Sequence, residues 1–152
     1  MIETPILAGL VGAGEFGTTF LAQARRVPRL DVRLVCDRDL ARARAALAAA
    51  GVPKSDMAIC ASRQTALAAI ERGQTAVVED VALLADLPLK LVLEATGDPE
   101  GGAVTAETAL ANGYHMVLAT KETEVLIGPE LARRRARPAS STPPSRAISR
   151  RF

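Results

Sequence analysis

Ile6-Leu7-Ala8-Gly9-Leu10-Val11-Gly12-Ala13-Gly14-Glu15-Phe16-Gly17 is the stretch on which the reading of this chain turns. The first six residues are a continuous apolar run, suited to a strand covered on both faces in a parallel sheet. A G-x-G-x-x-G string follows at once and leads into 15–26, a helix whose Phe16, Phe20 and Leu21 are expected on one face, with Pro28 beyond its end. In a strand–turn–helix of this kind each glycine has its own job. Gly12 allows the tight turn, Gly14 lets the backbone approach a pyrophosphate, and Gly17 lets helix and strand pack closely. The helix N-terminus then presents free N–H groups and a partial positive charge to phosphate. Gly12, Ala13, Gly14, Glu15, Phe16 and Gly17 are thus candidate cofactor-binding residues. The competing reading is a glycine turn that serves folding alone.

Outward from this stretch, Val32 to Cys36 reads as a second strand. Asp39 to Ala50 reads as a helix, rich in Ala, Leu and Arg and stopped by Gly51. This βαβα order implies a doubly wound parallel α/β sheet, the Rossmann dinucleotide-binding fold. Asp37 stands 20 residues after Gly17 at the end of the second strand, where an acid that hydrogen-bonds the adenosine ribose belongs. Arg38 follows immediately, and an arginine there can pair with a 2′-phosphate, unless it is simply a solvated loop residue. The cofactor is therefore NAD(P), with NAD versus NADP unresolved.

The middle is less regular. Residues 62–72 look helical with Gly73 as a stop, Ala76 to Val78 suggests a short strand, and 79–86 another short helix. Leu89 to Thr96 is a strand and 103–111 a helix ending at Asn112-Gly113. His115 to Ala119 is a further strand, and Glu122 to Arg137 includes a helix. In such sheets ligands lie outside the C-terminal strand ends. Glu94, Thr96 and Gly97 close one late strand, and Lys121, the only lysine after Lys90, follows the next. Thr96 and Gly97 are candidate cofactor contacts, and Lys121 and Glu94 candidate catalytic residues. A cation at 121 suits polarising a carbonyl or shuttling a proton during hydride transfer. The plainer readings are a solvated loop lysine and a glutamate that orients its loop. His115 starts a strand, which favours a structural role. No grouping has metal-ligand spacing.

Composition bounds the rest. Aromatics make up 3% with no Trp, which argues against a stacking platform for single-stranded nucleic acid. The formal charge is +2, but residues 1–130 carry 12 Lys+Arg against all 17 Asp+Glu, a net −5. The other seven basic residues, all Arg, lie in 131–152. A body of that sign favours neither nucleic acid nor membrane as partner. The Arg133-Arg134-Arg135 run suits the negative end of a helix macrodipole. Cys36 and Cys60 form neither a CxxC nor a disulfide framework, and Cys36 reads as a small buried hydrophobe. No signal peptide or bilayer-spanning stretch is visible, so the expected location is cytoplasmic. Two segments are expected: an NAD(P)-binding domain at 1–137 and a disordered Arg/Pro/Ser-rich tail at 138–152.

Residues 9–20 (GLVGAGEFGTTF), 94–99 (EATGDP) and 119–124 (ATKETE) together resemble a homoserine-dehydrogenase-like family. More narrowly they are similar to the deoxyxylulose-phosphate reductoisomerase-like oxidoreductases that often carry a SAF domain. The resemblance covers roughly residues 5–135. It implies a Rossmann domain followed by a catalytic and dimerisation domain, and hence a possible homo-oligomer. It also implies that Lys121 matches the lysine facing the nicotinamide, and that Glu94, Thr96 and Gly97 match the loop beside it. In the narrower family the reaction is NADPH-dependent, on a sugar phosphate with a divalent metal, which Asp37 fits poorly. The similar text stops near Arg135, so the chain is expected to be truncated and inactive alone, its small-molecule substrate requiring a second domain. A frameshift product or a genuine extension both suit the tail. The alternative is a non-catalytic dinucleotide-sensing or interaction module with a basic tail.

Overall fold

The computed structural model describes residues 4–136. The expected tail at 138–152 lies outside them. Six strands form one parallel sheet: β1 (Ile6–Val11), β2 (Leu30–Cys36), β3 (Met57–Ile59), β4 (Thr75–Val78), β5 (Leu91–Glu94) and β6 (His115–Leu118), in the order β3-β4-β2-β1-β5-β6. Helices α1 (Glu15–Ala24), α2 (Leu40–Ala49), α3 (Arg63–Glu71), α4 (Pro99–Ala111) and α5 (Lys121–Arg135) connect or follow them. The doubly wound α/β class read from the glycine string is the one observed.

Central strands lose both faces to helices, so they are apolar throughout rather than alternating. Leu10, Leu34, Val35, Val77 and Val92 are fully buried, each worth about 1.5–3 kcal/mol of transfer free energy. The two sides of the sheet carry separate clusters, one around Leu34, Val78, Leu84 and Val92, the other around Leu10, Leu21, Leu47 and Val77. Cys36 is 2% exposed and belongs to the core, as expected.

Several element readings change. The sequence shows no sign of β3, a three-residue edge strand too short to display a period. Its pairing with β4, Met57 opposite Thr75, defines it. Residues 79–86 carry only a 3₁₀ turn at Val81–Leu84, capped by the Asp80 carboxylate. The strand expected at Leu89–Thr96 is confined to Leu91–Glu94, because pairing with β1 begins at Leu91 and the Glu94 side chain then bends the chain by accepting from the Thr96 amide. Helix α4 starts four residues before its expected position. Asp98 caps it and Pro99 occupies the first turn, whereas Gly101 and Gly102 hide it from propensity. Phe16 does not share the buried face of Leu21; it is 58% exposed at the start of α1.

Candidate functional site

The glycine turn sits where β1 ends, between β2 and β5. Its Gly12 amide donates to the Cys36 carbonyl at 2.8 Å, and the Ala95 amide donates to the Val11 carbonyl at 2.8 Å. Gly12 adopts φ +96°, and a Cβ there would lie 2.5 Å from the Ala95 carbonyl oxygen. A Cβ on Gly17 would collide with the Gly12 carbonyl oxygen, far inside van der Waals contact. The fold itself therefore demands both of these glycines. Gly14 is different. Its φ is −74° and a Cβ would meet nothing within 4 Å.

Helix α1 is also different from its neighbours. Side chains cap α2 (Asp39), α3 (Ser62) and α4 (Asp98), but α1 begins at Gly14 with no side-chain cap. Among the described residues no acceptor takes the Gly14, Glu15 or Phe16 amides. Exposed helical donors of this kind, at the positive end of the macrodipole, form an anion cradle. Glu15 and Phe16 offer backbone donors here, and both side chains are exposed.

Asp37 lies at the end of β2, only 9% exposed. One carboxylate oxygen accepts from the Ala13 amide inside the turn at 2.8 Å, and the other from the Asp39 amide at 2.8 Å. The acid placed by spacing is thus joined to the glycine turn by a buried bond, a link that spacing alone does not reveal. Each oxygen keeps acceptor capacity for a ligand hydroxyl. Arg38, beside it, is largely exposed, and its Nη2 lies 3.9 Å from Asp98 across the cleft mouth.

Gly12, Asp37, Arg38, Thr96 and Asp98 border a single cleft of about 750 Å³ at the C-terminal edge of the sheet, together with Glu79 and Asp80 from the end of β4. That volume suits a small-molecule cofactor site. Burial pushes the Cys36 thiol, on the cleft floor, up to about 12, with the Asp37 and Asp80 carboxylates adding to the effect. A thiol so protonated is no nucleophile.

The other expected site residues gather next to this cleft. Glu94 is fully buried. Its Oε1 accepts from the Thr96 amide at 2.7 Å, the Thr96 hydroxyl at 2.6 Å and the Thr120 hydroxyl at 2.8 Å. The Thr120 hydroxyl accepts in turn from the Gly97 amide at 3.0 Å. Glu94 therefore ties the loop after β5 to the loop after β6, the orienting role, and presents no face to the cleft. Its Oε2 is buried with no partner among the described residues, as is the Thr123 hydroxyl. Lys121 opens α5 directly after Thr120, with an exposed side chain outside the cleft lining. Thr96 lines the cleft, and Gly97, at φ +69°, is exposed beside it.

The Thr120–Glu94 bond, Glu79, Asp80 and the Gly102–Thr123 contact escape the sequence reading. A Cβ on Gly102 would overlap the Thr123 hydroxyl, so this glycine lets α5 seat on α4. Glu79 and Asp80 follow a recognised strand, but only the strand order places that strand beside β2.

A scan of family models and a search of curated proteins return no match. Among solved structures, a dehydrogenase from Chromobacterium violaceum matches with a TM-score of 0.58 and 24% identity over 87% of this chain. Apo scyllo-inositol dehydrogenase from Lactobacillus casei matches at 0.54 with 18% identity over 85%. The same enzyme with bound NAD(H) and scyllo-inositol matches at 0.52 with 17% identity over 86%. These likenesses establish the class of fold, a Rossmann-like α/β domain. The chain spans about a third of the length of those proteins, 34–35% of each. Among the described residues no helix is long and apolar enough to cross a membrane, and no group of His, Cys, Asp and Glu is placed to hold a metal ion.

Proposed function

We propose that this chain is the NAD(P)-binding unit of an oxidoreductase acting on a small carbonyl or hydroxyl substrate. The observation that carries the reading is Gly14. The protein requires glycine at 12 and 17 for its own packing, yet nothing in the fold requires it at 14. Open space in front of a bare backbone, beside three unclaimed helical amides, fits a pyrophosphate. A turn built for folding alone leaves both features without a purpose.

The chain's own residues then divide the work. The Gly14, Glu15 and Phe16 amides hold the phosphates, while Asp37 sets the turn through Ala13 and receives the adenosine ribose. Thr96 and Gly97 flank the cleft toward β6, where the nicotinamide end lies in a doubly wound sheet. When bound, the nicotinamide accepts or supplies a hydride. Lys121 polarises the substrate carbonyl or moves its proton from the head of α5, next to Thr120, whose hydroxyl donates to buried Glu94. The resemblance of 94–99 and 119–124 to homoserine-dehydrogenase-like enzymes supports this role, and fold relatives named as dehydrogenases support the wider oxidoreductase reading. A second domain supplies the substrate site. Val117 on β6 and Val125 and Leu126 on α5 are 42%, 77% and 69% exposed, apolar side chains open to such a neighbour.

One observation favours a second reading, a dinucleotide-sensing module without catalysis. Lys121 lies outside the cleft lining and Glu94 is wholly buried, so neither candidate catalytic side chain borders the cleft. Calorimetric titration of the purified chain with NADH and NADPH tests what the two readings share. At least one must bind saturably at one site, and absence of binding by either overturns both. In a longer chain that carries a substrate domain, substrate-dependent turnover that is lost in Lys121→Met separates the enzyme from the sensor.

A further inference from the structure

The register of the sheet places more negative charge at the adenosine end than the β2 acid alone. Cys36 pairs with Val78, and the Asp37 amide donates to the Val78 carbonyl at 3.0 Å. Strands β2 and β4 therefore release Asp37 and Glu79 side by side, with Asp80 next, and all three border the cleft. We propose that this acidic wall makes the cleft selective for NAD(H) over NADP(H), with Glu79 and Asp80 acting as specificity determinants beside Asp37. The inference rests on the dinucleotide reading above and deepens it by choosing between the two cofactors.

Five carboxylates border the cleft (Asp37, Glu79, Asp80, Asp98 and Glu100) against two guanidiniums, Arg38 and Arg42. Each guanidinium already faces a carboxylate, Arg38 with Asp98 at 3.9 Å and Arg42 with Asp39 at 4.0 Å. Glu79 and Asp80 form no ion pair among the described residues. Asp80 uses one oxygen to hold the Ala82 amide, which fixes its charge at the cleft wall. A ribose 2′-hydroxyl can donate to this wall. A 2′-phosphate brings nearly two further negative charges and no donor. Arg38, 87% exposed at its side chain, can swing toward such a phosphate, but it must outweigh Asp37, which is buried and held by two amides, together with the exposed carboxylates of Glu79 and Asp80.

The test is calorimetric titration of the 152-residue chain with NADH and with NADPH at low and high salt, repeated on the double variant Glu79→Gln/Asp80→Asn. Both substitutions keep side-chain shape, and the amide oxygen introduced by Asp80→Asn still accepts from the Ala82 amide. At low salt NADH is expected to bind about tenfold or more tighter than NADPH. The gap narrows as salt screens the repulsion, and narrows again, about threefold or more, in the double variant. Should the double variant fail to fold by circular dichroism, Glu79→Gln alone is expected to show the same direction. NADPH binding as tightly as NADH overturns the inference while leaving the dinucleotide reading intact. So does a preference for NADH that ignores both salt and the substitutions. Binding of neither cofactor overturns both.

Discussion

Replacing Gly14 separates a glycine kept for a ligand from a glycine kept for the fold. A valine Cβ at 14 meets no protein atom within 4 Å, and the position has φ −74°, which any residue adopts. The fold therefore loses little. A branched apolar residue at an N-cap costs up to about 1 kcal/mol relative to glycine, and about 0.4–1 kcal/mol returns through the stiffer unfolded chain. The melting temperature of Gly14→Val should stay within about 4 °C of wild type. Gly17→Ala provides the contrast, because its Cβ runs into the Gly12 carbonyl oxygen, a backbone atom that cannot rotate away. Overpacking of that kind costs about 1–3 kcal/mol or more, so its melting temperature drops by several degrees. Binding reverses the order of interest. Gly14→Val fills the space assigned to the pyrophosphate and should weaken NADH by about 100-fold or more, equivalent to about 2.8 kcal/mol. Thermal melts by far-ultraviolet circular dichroism and NADH titrations by calorimetry read the two effects; with no Trp in the chain, intrinsic tryptophan fluorescence is not an option. A folded Gly14→Val that binds NADH with wild-type affinity refutes the assignment of the turn to a pyrophosphate.

Asp37→Asn turns one acceptor of the carboxylate into a donor facing the Ala13 or Asp39 amide, so it should cost about 1–3 kcal/mol of stability and weaken NADH as well; unchanged melting would detach Asp37 from the turn. Gly102→Ala drives a methyl into Thr123 and should destabilise by about 1–3 kcal/mol, and adding Thr123→Ala should recover most of the loss in a double-mutant cycle of denaturant melts. Cys36 has its thiol raised from 9 to about 12, so the folded state resists its ionisation while the unfolded state ionises freely; stability contributed by the neutral thiol is present below pH 9 and declines above it, and Cys36→Ala should flatten that decline in melts between about pH 8 and 11. In a longer chain that carries a substrate domain, Lys121→Met should lower kcat far more than it weakens NADH, and equal losses in both would make Lys121 a binding residue.

The glycine string, the two strands around it and Asp37 are legible from sequence because their constraints are local. A buried parallel strand needs an apolar run, a tight turn needs glycine, and about 20 residues of intervening helix and strand bring the acid back to the same edge. The expected ends of β5 and α4 are off by a few residues for an equally local reason. Glu94 and Asp98 each bind a nearby backbone amide, and such side-chain bonds override propensity at element boundaries.

Other features depend on residues far apart in the chain. Sequence alone determined the α/β class, the glycine turn and the acid aimed at it. Tertiary structure decided that β4 inserts between β2 and β3, which brings Glu79 and Asp80 beside Asp37 and sets the charge of the cleft. It also decided that Glu94 serves as a buried clamp on Thr96 and Thr120 rather than a cleft residue, and that only Gly14 of the three glycines is free of the fold's own demands. Strand order, burial and close approach are relations between segments tens of residues apart, and no local pattern of residues encodes which two segments will meet.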